Sequence, residues 1–199
     1  MGVPRIRMAT ERDAAEIAAI YAPFCESSVV SFEETAPPPE EISRRIHAIT
    51  AFLPWLVLDA DGRVDGFAYA SRHRERASYR WAVDVTVYVA DDWRRRGVGR
   101  ALYVSLLELL RLQGYFKAYA GTTVPNPPSV ALHQAVGFEL VGVYRGVGYK
   151  LGGWRDVAWY ERTLQAPHAQ PRDPVPIAAV VGTVAGDSAL ALGLPRLKR

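Results

Sequence analysis

The sequence of 199 residues has one cysteine, three lysines (Lys117, Lys150 and Lys198) and little that a membrane would hold. A single thiol, Cys25, cannot close an internal disulfide, which excludes a small secreted fold held by bridges. An isolated cysteine in an apolar helical stretch reads as core packing rather than as a nucleophile. No apolar run approaches the roughly 20 residues that span a bilayer. The opening M-G-V-P-R-I-R-M-A-T lacks the apolar centre of a secretion signal, and Ile6 stands where a myristoylation signal needs Ser or Thr. No His or Cys pair has metal-ligand spacing, so no metal is expected. These absences leave a cytoplasmic enzyme or binding module without a membrane partner.

The scarcity of lysine has a counterpart. Of 24 basic residues only three are Lys, so arginine carries the charge, yet the net charge is only +3. Codon usage in a GC-rich genome accounts for this, as does placement of guanidiniums for bidentate anion contacts that Lys makes poorly. The 49% hydrophobic and 23% charged residues are ordinary for one folded domain. Residues 1–165 form the expected domain, at +1. From Ala166 the chain turns Pro-rich and then Ala-rich without a clear period, so 166–199 is expected to be a tail, partly disordered or docked, carrying +2. With no basic stripe and interleaved aromatics, nucleic acid is not an expected partner.

Strands are expected at Ile6–Ala9, Trp55–Leu58, Gly66–Ala70, Trp81–Val89, Tyr115–Ala120, Phe138–Tyr149 and Trp154–Leu164. Helices are expected after Thr10, which has an acidic residue three positions on, after the stop Ala36–Glu40, over Ala101–Leu112, and over Ser129–Val136. Along Trp81–Val89 the valines 83, 85, 87 and 89 share one face, while Asp84, Thr86 and Tyr88 share the other. The irregular alternation predicts an α/β domain with a central mixed, mostly antiparallel twisted sheet flanked by helices.

The densest chemical signal follows Val89: Asp91-Asp92-Trp93-Arg94-Arg95-Arg96-Gly97-Val98-Gly99-Arg100. Two glycines between a strand and a helix let backbone N–H groups approach an anion, and the helix N-terminus adds positive partial charge. A dinucleotide fingerprint fails because Leu102 stands at its third glycine and the acidic ribose partner is missing. A phosphate-loop lysine is absent as well, and an Arg-rich helix cap stays open as a purely structural alternative. The second signal is Asn126-Pro127-Pro128-Ser129-Val130-Ala131-Leu132-His133, where Asn126 and Ser129 can cap a helix and His133 shares a face with Ser129.

Together, Arg94-x-x-Gly97-x-Gly99 after an apolar strand and N-x-x-S-x-x-L-H-x-x-x-G-F about 30 residues on resemble the GCN5-related N-acetyltransferase (GNAT) family. The match covers roughly residues 5–164. Trp81–Val89, the N-P-P-S-V-A-L-H stretch and Gly152–Val157 look most like its phosphinothricin and methionine sulfoximine N-acetyltransferases. The resemblance implies a GNAT-type single domain using acetyl-CoA and acting as a homodimer. The cofactor pyrophosphate would lie on the N–H groups of Arg95, Arg96, Gly97, Val98, Gly99 and Arg100, with Arg94 opening the motif. The pantetheine arm would pair with the strand edge at Val87, Tyr88 and Val89, near Asn126 and Ser129. His133 would be catalytic, at the position of the acid that protonates the CoA thiolate. Asp84 aligns with a family Glu that deprotonates the substrate ammonium; one methylene shorter, it would need a bridging water or a shifted substrate.

Four arginines fall in nine residues over Arg72–Arg80, a run suited to a carboxylate plus a phosphinate or sulfone oxygen, or else a solvated loop. By resemblance Phe32, Arg74, Arg76 and Tyr79 would line the acceptor pocket. The expected activity is acetyl transfer to the α-amine of a small amino-acid-like acceptor. Another amine (a polyamine, an antibiotic or a protein N-terminus) and a non-catalytic acyl-CoA-binding module are the alternatives.

Overall fold

A strand that alternates valine with Asp84, Thr86 and Tyr88 must cover both faces, so it belongs inside a sheet. In the computed structural model, which describes residues 3–198, this strand (β4, Ala82–Val89) is the middle one of seven. Met1, Gly2 and Arg199 lie outside the described residues, and with them the first two positions of the expected domain and the last charge of the tail. The other strands are β1 (Arg5–Met8), β2 (Trp55–Ala60), β3 (Arg63–Arg72), β5 (Lys117–Val124), β6 (Glu139–Lys150) and β7 (Gly153–Thr163). The helices are α1 (Ala14–Glu26), α2 (Pro39–Thr50), α3 (Val98–Gln113), α4 (Pro127–Ala135) and α5 (Val184–Ala191).

The sheet order is β1-β2-β3-β4-β5-β7-β6, and every neighbouring pair is antiparallel except β4 with β5. This is the mixed, mostly antiparallel sheet that the alternation of elements predicts. Val83 and Val85 turn to α3 and pack with Leu102, Leu106, Leu109 and Leu110; on the opposite face Trp55, Val57 and Phe67 pack with Ile17, Ile42 and Ile46 of α1 and α2. Each such side chain, fully buried, contributes about 1.5–3 kcal/mol. The start of the chain is tied down by Arg7, whose guanidinium reaches Asp13 at 2.7 Å and Asp59 at 2.8 Å.

The β4–β5 pairing is short. Only Ala82, Val83 and Asp84 face Lys117, Ala118 and Tyr119, after which the strands part and leave Val85–Val89 with no partner on that side. The gap opens beside the N-terminus of α3.

Most boundaries differ from the sequence expectation by a few residues, as where β5 runs over Lys117–Val124 rather than Tyr115–Ala120, and three of the differences have a plain physical reason. The helix after the proline run begins inside it, with Pro39 at its first position, where a fixed φ and a missing N–H cost nothing. β3 runs from Arg63 to Arg72 rather than over Gly66–Ala70, because β2 and β4 pair with it nearly end to end. α3 starts at Val98, three residues before Ala101, so Gly99 lies inside the helix rather than in the loop. Its lack of a side chain serves packing: a Cβ there would stand 3.1 Å from Leu132 Cδ2 of α4.

Beyond β7 the chain crosses the C-terminal end of α3, makes a 3-10 turn at Ile177–Ala179, forms α5, and ends in a second 3-10 turn at Leu194–Arg196. Ile177, Val180 and Ala189 are buried in the α3 core. Turns of three residues and a helix of eight are too short to show a period in sequence.

Candidate active site

Asp84 sits at the last position where β4 pairs with β5, opposite Ser71 on β3 and Tyr119 on β5. From just beyond the end of β3, His73 folds over it, Nδ1 lying 2.7 Å from Asp84 Oδ1. With Asp84 ionised, Nδ1–H is the donor, which fixes the tautomer. The imidazole stacks on Tyr119 at 4.4 Å and 19°, with Tyr79 and Trp159 edge-on at 6.0 and 6.3 Å. Side-chain exposure is 26% for Asp84 and 13% for His73. Burial raises the Asp84 carboxyl above its ordinary value, against the pull of the His73 hydrogen bond and the nearby His73 and Arg74 charges. A carboxylate so placed keeps an increased affinity for a proton while staying within reach of solvent.

The loop after β4 makes a 3-10 turn at Asp91–Trp93 and then puts two residues in the left-handed region, Arg95 at φ 62° and Gly97 at φ 82°. Such a turn leading into α3 gathers backbone N–H groups into a concavity that suits an anion. Arg94 is ion-paired to Asp91 at 2.6 Å, and Arg96 lies over the Trp93 ring at 4.9 Å. Arg95 and Arg100 are exposed and have no ion-pair partner among the described residues. Of the three edge residues, Val87 and Val89 pack toward α3, whereas the Tyr88 ring turns to Tyr21 and Phe24 at 4.8 and 4.9 Å.

α4 is capped by Asn126, whose side chain accepts from the Ser129 N–H at 3.3 Å, and Ser129 Oγ lies 3.3 Å from Thr122 Oγ1. His133 is 3% exposed. Its ring stacks on Tyr160 at 5.3 Å, with Nδ1 3.4 Å from Thr122 Oγ1 and Nε2 3.4 Å from Tyr103 Oη. Burial pushes its pKa down to about 4, so the ring is neutral at pH 7. The Tyr103 hydroxyl is also 3.5 Å from the Val85 carbonyl, on the strand segment that has lost its β5 partner.

Arg74, Arg76 and Tyr79 are brought together around a cavity of about 440 Å³, with Arg72 and Arg80 beside them and Asp173 and Pro174 of the tail closing it. Arg80 donates to Asp173 at 3.0 Å. Phe32 lies elsewhere, close against Gly148, where a Cβ would stand 2.3 Å from its ring. The loop that carries Phe32 is held by Lys150, which is 4% exposed. Its ammonium donates to the Ser31 carbonyl at 2.6 Å, the Glu33 carbonyl at 2.7 Å, and the Cys25 carbonyl at the end of α1.

His73, which contacts Asp84, and Lys150, which holds the Phe32 loop, are the two residues that sequence reasoning passed over. His73 lies inside the Arg72–Arg80 run, and pairing the two flanking strands as a hairpin would have set it beside Asp84. Lys150 bonds to carbonyls more than a hundred positions away, which no local pattern discloses.

Comparison with known proteins identifies the family. The family model described as Acetyltransferase (GNAT) domain matches residues 6–159. The chain is 38% identical to a phosphinothricin N-acetyltransferase of Streptomyces viridochromogenes, over 88% of this chain and 95% of that one. It is 31% identical to an L-methionine sulfoximine/L-methionine sulfone acetyltransferase of Pseudomonas aeruginosa, over 83% of this chain and 98% of that one. Among solved structures, a GNAT superfamily phosphinothricin acetyltransferase of Sinorhizobium meliloti in complex with AcCoA superposes with a TM-score of 0.82 at 34% identity, covering 87% of this chain and 96% of that one.

Lys150→Met keeps the bulk of the side chain but leaves three buried carbonyls without a donor, so it should destabilise the protein by about 3 kcal/mol. Urea unfolding reads this as a lower midpoint at unchanged slope; an unmoved midpoint would show that the ammonium holds nothing.

Proposed function

Because the chain belongs to the GNAT acetyltransferase family, we propose that Asp84 and His73 prepare the α-amine of a small amino-acid-like acceptor for attack on acetyl-CoA. The enzyme is an acetyl-CoA-dependent N-acetyltransferase. The observation that carries the site assignment is the half-buried Asp84–His73 hydrogen bond at the point where β4 and β5 part.

The loop suits the phosphates of acetyl-CoA: a turn with left-handed Arg95 and Gly97 favours a concavity of backbone N–H groups, and the exposed guanidiniums of Arg95 and Arg100 have no ion-pair partner among the described residues. The pantetheine arm is assigned to the open edge of Val87–Val89, a row of backbone groups awaiting a partner, with Asn126 and Ser129 across the gap. The acceptor's ammonium must lose a proton before its lone pair can attack. Asp84, directly or through a water, takes that proton, and His73 holds the carboxylate in place. The nitrogen lone pair then bonds to the thioester carbon. An N–H of the β4 edge meets the negative charge growing on the carbonyl oxygen; the carbon–sulfur bond then breaks, and the second proton that the nitrogen sheds in becoming an amide passes, directly or through water, to the departing sulfur. We assign His133 to the sulfur side. Held neutral by burial, it acts there as a hydrogen-bonding N–H rather than as an imidazolium acid.

The acceptors we assign are phosphinothricin, methionine sulfoximine and methionine sulfone, each pairing an α-amine with polar oxygens. Arg74, Arg76 and Tyr79 would hold those oxygens, whereas Phe32, set apart against Gly148, takes no part in that cavity. On phosphinothricin the same reaction would give herbicide resistance. The cytoplasm is the assigned setting, in keeping with the free buried thiol of Cys25. A homodimer is proposed through the outer strand and its hairpin, where Tyr144, Val147, Tyr149, Leu151 and Trp154 are exposed, Trp154 at 70%.

Asp84→Asn should lower kcat/KM for phosphinothricin by about a hundredfold or more while CoA binding stays within about twofold. Turnover within a few-fold of wild type would remove Asp84 from the mechanism. Sedimentation equilibrium should show a dimer that Tyr149→Glu/Trp154→Glu weakens by at least about tenfold; a wild-type monomer would refute the interface.

A further inference from the structure

The family model ends at residue 159, yet the chain beyond it runs back along α3 from one end to the other. At the C-terminal end of α3, the Gln113 side chain donates to the carbonyls of Phe52 and Val175 at 2.8 Å each. Midway, Ser105 Oγ donates to the Leu190 carbonyl at 2.8 Å and accepts from the Gly193 N–H at 3.1 Å. Gly193 lies so close to the helix that a Cβ would stand 1.9 Å from the Ala101 carbonyl.

The last described residues reach the loop before α3. The Lys198 N–H donates to the Arg96 carbonyl at 2.9 Å. A Cβ on Gly97 would stand 2.1 Å from the Arg196 carbonyl, so the two backbones touch. Leu194 and Leu197 pack into the α3 core and fix this turn from below. The tail thus occupies a carbonyl of the loop and the outer side of Gly97, and among the described residues it forms no backbone hydrogen bond with the N–H groups of Arg95 to Arg100. Arg196 and Lys198 are exposed and lack an ion-pair partner among the described residues, as do Arg95 and Arg100.

We propose that Gly193–Lys198 is a working part of the acetyl-CoA site, bracing the Arg95–Gly97 turn and adding the Arg196 and Lys198 cations to the surface that meets the CoA phosphates. The proposal rests on the reading of that loop as the phosphate-binding turn. Two left-handed residues separated by one, with Arg95 bearing a side chain, form a conformation that persists only where its surroundings enforce it. The tail supplies that enforcement from outside the family domain.

The test is calorimetric binding of CoA and of pantetheine, which lacks every phosphate, to three full or nearly full chains: wild type, a truncation after Pro195, and Arg196→Gln/Lys198→Gln. The truncation should weaken CoA by about tenfold and the double variant by about threefold, with a shallower dependence on salt, while pantetheine binding stays within about twofold. Equal losses for both ligands would reduce the tail to a general stabiliser and overturn the proposal. So would unchanged CoA binding and salt dependence in the double variant, which decides the matter if the truncated chain does not fold. A wild type that binds CoA no better than pantetheine would instead refute the phosphate-binding reading of the loop, and this proposal with it.

Discussion

The brevity of the parallel pairing between β4 and β5 is the constraint on which the site depends. Three residue pairs are enough to set Asp84 opposite Tyr119, whose ring then supports His73 over the carboxylate. One residue further along, the strands separate. The same separation frees the edge of Val85–Val89, makes room for Tyr103 and His133 between α3 and α4, and opens toward the loop before α3. A full-length parallel ladder would satisfy the backbone of β4 and leave nothing for a thioester to bind.

The arginines gain meaning from their placement rather than from their number. The domain is nearly neutral, and eight of its guanidiniums fall in two runs on either side of β4. One run lines the cavity closed by Asp173 and Pro174, and the other surrounds the turn braced by Arg196 and Lys198. A segment that looks like a tail in sequence therefore touches both arginine-lined surfaces, one at each end of α3. The clustering of the arginines on either side of β4 is what the geometry explains.

Much of this was legible in the residues. The valine alternation gave β4 and its two faces, the glycine-spaced loop gave the entry to α3, and Asn126 announced α4, because each signal is local and repeats with the period of its element. What stayed hidden depends on register or on distance. His73 becomes Asp84's partner only through the pairing of Ser71 with Asp84, and Lys150 captures carbonyls from the far end of α1. Gly99 reads as a loop glycine but serves the packing of α4, since a close approach and a flexible turn demand the same residue. His133 reads as an acid, yet only the surrounding Tyr103, Phe138 and Tyr160 reveal that burial keeps it neutral.

The account turns on Asp84 being a base whose proton affinity is raised by burial and moderated by His73. The direct measurement is a pH titration of the Asp84 carboxyl by 13C NMR, beside kcat/KM over the same range, for wild type and His73→Phe. The Asp84 carboxyl should titrate above the ordinary 3.8, with the acid limb of kcat/KM following it. Removing the imidazole takes away an interaction that lowers this pKa, so in His73→Phe both curves should move to higher pH. A carboxyl that titrates at or below 3.8, or an acid limb that stays in place while the carboxyl moves, would contradict the account.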